Sequence, residues 1–170
     1  KADRMNDYVL VLNAGSSSLK FAVYVRPEGG DWHPESRGQI EGIGTAPRFS
    51  AKDATGAVIA KEDLGDTVRD AQSALQSLAD WLRGRYGDGR ILGVGHRVVH
   101  GGARFAAPTV VTPQVLAALR ELIPLAPLHQ PHNLKPIRLL LANQPQLPQV
   151  ACFDTAFHRH QPEVAQAFAL

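Results

Sequence analysis

Apolar and polar residues fall into short blocks along the chain, and their spacing changes from two to three or four. That change is the signature of strands mixed with helices. Tyr8-Val-Leu-Val-Leu12 reads as a buried strand, followed by the turn-rich Asn13-Ala-Gly-Ser-Ser-Ser18 and a second strand, Leu19 to Val25. So short a connection makes the two strands antiparallel neighbours, because a parallel pair needs a long crossover. Residues 26–37 read as an exposed turn. Residues 38–62 read as further strand, with Asp53-Ala-Thr-Gly56 as a hairpin turn before Ala57-Val-Ile-Ala60.

Val68, Ala71, Leu75, Leu78, Ala79 and Leu82 recur at helical spacing, so a helix is predicted from Thr67 to about Arg85. Asp66 or Thr67 would cap its start, and Gly84 or Gly87 would end it. Ile91 to His100 reads as strand, closed by Gly101-Gly102. Thr112-Pro113 has the cap-then-proline order of a helix start; Leu116, Leu119, Leu122 and Ile123 form its stripe, and Pro124 stops it. A shorter helix is expected over Leu134 to Ala142, with Pro136 in its first turn. Gln149 to Phe153 is a buried strand ending at Asp154, and Pro162 to Leu170 reads as a helix just begun. The order predicts an α/β domain, a mixed sheet with helices packed on it. The apolar Val164 to Leu170 has no evident partner, which predicts that the sequence stops inside a longer protein.

Composition narrows this little. The chain has 170 residues, 44% hydrophobic and 20% charged, with 15 Gly and 12 Pro. A real core is feasible, since about 70% of the unfolded surface can be buried at this length. The 18 basic and 16 acidic residues leave a formal charge of +2, too small to point to nucleic acid or an anionic membrane. One cysteine, Cys152, excludes an intrachain disulfide and a cysteine-rich zinc module. Tyr8 to Leu12 is far too short to span a bilayer, and Lys1 to Asp7 carries no hydrophobic signal segment. A cytoplasmic location is the default expectation.

Four segments carry candidate chemistry. Asn13-Ala-Gly-Ser-Ser-Ser-Leu-Lys20 gathers backbone N–H groups and hydroxyls in one loop, a nest suited to phosphate oxygens. Lys20 adds a point charge, and the Asn13 side-chain oxygen suits Mg²⁺ or one of its waters. It is not a Walker loop, and a plain Ser/Gly hairpin turn is an equally good reading of the loop alone. In Gly95-His-Arg-Val-Val-His-Gly-Gly102, alternation puts His96, Val98 and His100 on one face and Arg97 and Val99 on the other. An arginine between valines points to an anion. A His96/His100 metal pair lacks a third ligand, so structural histidines are the better reading. Leu125-Ala-Pro-Leu-His-Gln-Pro131 is a proline-braced loop presenting His129. Phe153-Asp-Thr-Ala-Phe-His158 puts Asp154 at the carboxyl end of a strand, where ligands commonly sit in α/β sheets. Singly, His129 and Asp154 would more often be structural.

Together and in this order, the four segments resemble the signatures of the acetokinase family, of the actin-like sugar-kinase superfold. The resemblance runs from Tyr8 to Leu170 and is to the N-terminal part of that family. Gln130 stands where the family usually has Asn, residues 28–36 look family-variable, and family members are about twice as long or more. The resemblance implies a ribonuclease-H-like mixed sheet flanked by helices, one domain of an actin-like kinase, over residues 1–154, with 155–170 beginning a second domain. It implies reversible transfer of phosphate from ATP to acetate, giving acetyl phosphate and ADP. The alternatives are a propionate or butyrate kinase, or a non-catalytic actin-like nucleotide-binding module. By resemblance, Asn13 would help hold Mg²⁺, and Ser16, Ser17, Ser18 and Lys20 would lie by the ATP phosphates. Arg97 would grip the acetate carboxylate, Val99 and Leu128 would line a pocket for its methyl group, His129 would contact the transferring phosphoryl group, and Asp154 is the family's catalytic acid. A homodimer is implied for the full-length enzyme, and the 170-residue chain alone is expected not to turn over.

One physical objection concerns Asp154. Simple carboxyls titrate near ~4–5, so acetate is already ionised at neutral pH and needs no base. Phosphoryl transfer rests on alignment and charge neutralisation. Asp154 is therefore expected to orient the Mg²⁺ shell or Arg97 rather than to move a proton.

Overall fold

The computed structural model describes residues 6–87 and 89–154. Strands β1 (Asp7–Ala14), β2 (Ser18–Arg26), β3 (His33–Glu41), β4 (Arg48–Asp53) and β5 (Val58–Asp63) come first, then helix α1 (Ala71–Tyr86). They are followed by β6 (Arg90–Val98), β7 (Thr109–Val110), α2 (Pro113–Arg120), α3 (Gln130–Asn143) and β8 (Gln149–Phe153). The eight strands form one sheet in the order β5-β4-β3-β2-β1-β6-β8-β7. β1 runs parallel to β6, and β6 to β8; the other pairings are antiparallel. Three antiparallel strands followed by two parallel ones, β3-β2-β1-β6-β8, give the expected ribonuclease-H-like sheet.

Alternation sorts the two faces. Tyr8, Leu10, Leu12 and Ala14 of β1 and Leu19, Phe21, Val23 and Val25 of β2 point inward, against α1. Under β6 and β8 a second cluster joins Val98, Ala151 and Phe153 to Leu116, Leu119, Leu134 and Ile137 of α2 and α3. The three helices thus cover one face. On the other face a shallow depression of about 460 Å³ is lined by Val11, Asn13, Lys20, Ala22, Arg37 and Lys52, among others.

Several boundaries differ from the sequence reading. β3 begins at His33, inside the segment expected to be a turn; the first of its buried residues is a serine, Ser36, whose Oγ bonds the Tyr86 hydroxyl at 2.6 Å. α1 starts at Ala71, later than expected. Asp70 caps it in a reciprocal box, with the Ser73 N–H donating to Asp70 Oδ1 at 2.8 Å and the Asp70 N–H donating to Ser73 Oγ at 3.1 Å. Val68 is buried, but from extended backbone ahead of the helix. The helix ends at Gly87, whose φ of 53° is the left-handed conformation that glycine tolerates. β6 ends at Val98, leaving Val99 and His100 outside the ladder. α2 stops at Arg120, and Pro124 falls in a separate 3-10 turn, Ile123–Leu125. α3 starts at Gln130, because Pro131 suits the first turn, and this leaves Pro136 inside the helix. The short β7 was not anticipated. The expected second domain and final helix lie outside the described residues.

Candidate active site

Because β1, β6 and β8 are parallel, their carboxyl ends meet at one edge of the sheet. The register pairs Leu12 with His96 and Arg97 with Cys152. One step on, Asn13 comes level with Arg97 on the face turned away from the helices, and Asp154 lies just past the end of β8. Across the hairpin Asn13 pairs with Lys20, so both side chains share that face. The order of strands, rather than closeness in sequence, gathers Asn13, Lys20, Arg97 and Asp154.

The serine loop is a tight turn closed by Gly15 N–H to the Ser18 carbonyl at 2.9 Å. The Ser17 carbonyl accepts from the Ile43 N–H at 2.9 Å, which ties the loop to the β3–β4 turn. Ser16 and Ser17 are exposed at its tip. A Cβ on Gly15 would sit 2.9 Å from Ser18 Oγ, so a side chain there would make the serine hydroxyl turn away.

Arg97 is held by Asp154 in a two-pronged pair: Nε to Oδ1 and Nη2 to Oδ2, both at 2.8 Å. Their side chains are 56% and 30% exposed, so solvent and ligands reach the pair. Hydrogen bonding to the carboxylate raises the Arg97 pKa further, keeping the guanidinium charged. The Nε–Nη2 edge is occupied, and Nη1 makes no hydrogen bond among the described residues.

His96 points the opposite way and is buried. Its Nε2 lies 2.6 Å from Gln149 Oε1, and Gln149 donates in turn to the Ile137 carbonyl at 3.3 Å. Burial, opposed only in part by that bond, pushes the His96 pKa down to about 4. His96 is a neutral structural histidine whose Nε2 is committed to an amide, as the sequence favoured over a metal pair. His100 turns back on its own loop, Nδ1 accepting from the Gly102 N–H at 2.8 Å.

Leu128 and His129 stand on the connection into α3, in a turn closed by the Ala126 carbonyl. Both are exposed, Leu128 by 77%, so the apolar pocket expected of Val99 and Leu128 is not a closed cavity among the described residues. No hydrogen bond links His129 to Arg97 or Asp154. Sequence reading also passed over Asn133, buried in α3. Its only signal was an amide three residues after Gln130 at a helix start.

The oxygen donors at this edge are Asn13 Oδ1, the serine hydroxyls and one carboxylate shared with Arg97. Among the described residues no three His, Cys, Asp or Glu side chains cluster as a metal cage. Such a sparse set fits Mg²⁺, which keeps several waters and takes phosphate oxygens as ligands.

The fold and this edge define an α/β domain of a kinase-like superfold. The model of the acetokinase family matches residues 8–170, and the chain belongs to that family. It is 48% identical over 168 residues to an acetate kinase of Rhodopseudomonas palustris, covering 98% of this chain and 42% of the relative. An acetate kinase of Deinococcus radiodurans is 42% identical over 163 residues, 96% of this chain and 39% of the relative. Among solved structures, a propionate kinase from Francisella tularensis superposes with a TM-score of 0.76 at 34% identity, over 93% of this chain and 39% of its own. Porphyromonas gingivalis acetate kinase gives 0.75 at 35%, over 93% and 40%. The chain thus spans about two-fifths of the length of the relatives it matches. No helix among the described residues is long and apolar enough to cross a membrane.

Proposed function

We propose that this chain supplies one wall of an ATP:acetate phosphotransferase, which makes acetyl phosphate and ADP reversibly. The observation that carries the reading is the Arg97–Asp154 pair beside Asn13 and the serine loop. Asp154 holds the guanidinium by one edge and leaves the Nη1–Nη2 edge for a second carboxylate, which acetate provides. Asp154 is then the group that orients Arg97, and no proton need move, since acetate reacts as its anion. Asn13 and the hydroxyls of Ser16, Ser17 and Ser18 receive the phosphate end of ATP with Mg²⁺, which neutralises charge on the phosphate oxygens. Lys20 adds a cation on the same face. Val99 and Leu128 border the methyl group, and His129 reaches the phosphoryl group in transfer. The exposure of Leu128 and the likeness to a propionate kinase support a second reading, a propionate or butyrate kinase with the same chemistry. A cytoplasmic, homodimeric full-length enzyme goes with either.

The test joins this chain to the remaining part of the Rhodopseudomonas palustris acetate kinase and assays acyl phosphate as the hydroxamate. The fusion is expected to turn over acetate, and the 170-residue chain alone is not. Arg97→Lys keeps the charge but loses the planar fork, so kcat/KM for acetate should fall by ~10²–10³, or ~2–4 kcal/mol. An active fusion in which lysine works as well as arginine would reduce Arg97 to a structural role. Faster turnover of propionate than of acetate would select the second reading.

A further inference from the structure

The last ladder pair between β1 and β6 is Leu12 with His96, and beyond it the two strands separate towards the serine loop and Gly101-Gly102. Among the described residues a single side chain spans the gap. Asn133, 5% exposed, accepts from the Val99 N–H through Oδ1 at 2.9 Å and donates through Nδ2 to the Ala14 carbonyl at 2.8 Å. Its orientation is fixed by chemistry, because a backbone N–H only donates and a carbonyl only accepts. The carboxamide takes the place of a missing peptide unit between the two strand ends. One turn earlier on α3, Gln130 makes the companion bonds, accepting from the His100 N–H at 3.2 Å and donating to its carbonyl at 2.9 Å.

Ala14 lies between Asn13 and the serine loop, and Val99 lies two residues past Arg97. We propose that Asn133 is a positioning residue that sets the separation of the phosphate-binding loop from the acid-binding strand end. This rests on the proposed function for its catalytic meaning, though not for the clamp itself. An amide is required because one group must donate to β1 while accepting from β6. Aspartate has the same shape but, ionised, only accepts; it keeps the Val99 bond and sets a carboxylate oxygen against the Ala14 carbonyl.

The variants therefore separate the two ends. In the 170-residue chain, NMR amide exchange and chemical shifts are compared for Asn133→Ala and Asn133→Asp. Alanine should deprotect Val99 and disturb residues 14–18 together, whereas aspartate should disturb 14–18 and leave Val99 protected. In the fusion with the Rhodopseudomonas palustris remainder, alanine should raise KM for Mg-ATP and for acetate alike. Aspartate should raise KM for Mg-ATP about tenfold with the acetate KM nearly unchanged. A lower melting temperature with both KM values at wild type would make Asn133 structural and overturn the proposal. Equal disturbance of both ends by aspartate would overturn it too. An inactive fusion whose chain shows the expected exchange pattern would count against the proposed function, leaving the clamp in place.

Discussion

The two halves of this domain are held together by different means. Beneath β1 to β4 the interior is apolar: Phe21, Phe49 and Trp81 pack with ring centroids 5.0–5.8 Å apart, and Ile40 is fully buried beside them. Beneath β6 and β8 the interior takes in His96, Gln130, Asn133 and Gln149, all at most 5% exposed. No buried side-chain polar atom lacks a partner among the described residues. Apolar packing is non-directional and tolerates volume-conserving repair. A buried amide works only with its partners in place, so it specifies geometry where geometry is needed. The polar half is the half that carries the candidate site.

The largest effect belongs to the apolar half. Phe49 is 1% exposed and touches both Phe21 and Trp81, so Phe49→Ala opens a cavity between sheet and helix. The expected loss is ~3–5 kcal/mol in urea unfolding of the chain. Phe49→Leu should recover most of it. A loss below ~1 kcal/mol for the alanine would mean that this half can collapse around the gap, and the contrast between the halves would fail.

Where the halves differ, sequence reading differed in success. β2 was legible because its buried positions are apolar and alternate, and β1, β6 and β8 because each carries a short, mostly apolar buried run. The hairpin at Asp53 was legible because Asp53 Oδ1 takes the Thr55 and Ala57 N–H groups and Gly56 adopts φ 90°. The start of β3 was hidden because its first buried residue is Ser36, satisfied by a tyrosine 50 positions away. The start of α3 was hidden in the same way, since Gln130 and Asn133 look like surface amides until residues 30 and 119 positions distant come into reach. For the candidate site, the motifs marked Asn13, Arg97 and Asp154, and only parallel strand order brings them to one edge. Their sequence reading, with Asp154 orienting either the Mg²⁺ shell or Arg97, anticipated an ion pair between two of them, although its two-pronged geometry was not legible. Nor was the exposure of Leu128, which depends on how the α2–α3 connection turns.

A second prediction concerns pH and falls on the polar half alone. His96 has a folded pKa of about 4 against an unfolded value of 6.5, burial being the main cause. The unfolded chain therefore takes up a proton first as pH falls. Stability from this group is complete above pH 6.5 and is lost progressively down to about 4, where the loss levels off. The total is ~3 kcal/mol at 1.36 kcal/mol per pKa unit. Stability curves between pH 7 and 4, with NMR titration of the ring, measure it. A His96 ring that titrates near 6.5 in the folded chain would show that burial and the Gln149 bond do not keep it neutral.

The smallest effect tests a place where the apolar half uses a buried polar pair. Ser36, 5% exposed, bonds the Tyr86 hydroxyl at 2.6 Å and joins β3 to the last turn of α1. Tyr86→Phe removes the partner and leaves the serine hydroxyl buried, at an expected cost of ~1–2 kcal/mol. Ser36→Ala leaves the tyrosine hydroxyl alone; Tyr86 is only half-buried, so water can take the serine's place and the cost should be under ~1 kcal/mol. The double variant Ser36→Ala/Tyr86→Phe removes both groups and should be more stable than Tyr86→Phe by itself, because no desolvated hydroxyl remains. A double-mutant cycle in urea gives the coupling directly. If the double variant is as unstable as the sum of the single ones, the bond carries no coupling, and β3 is held by apolar packing alone.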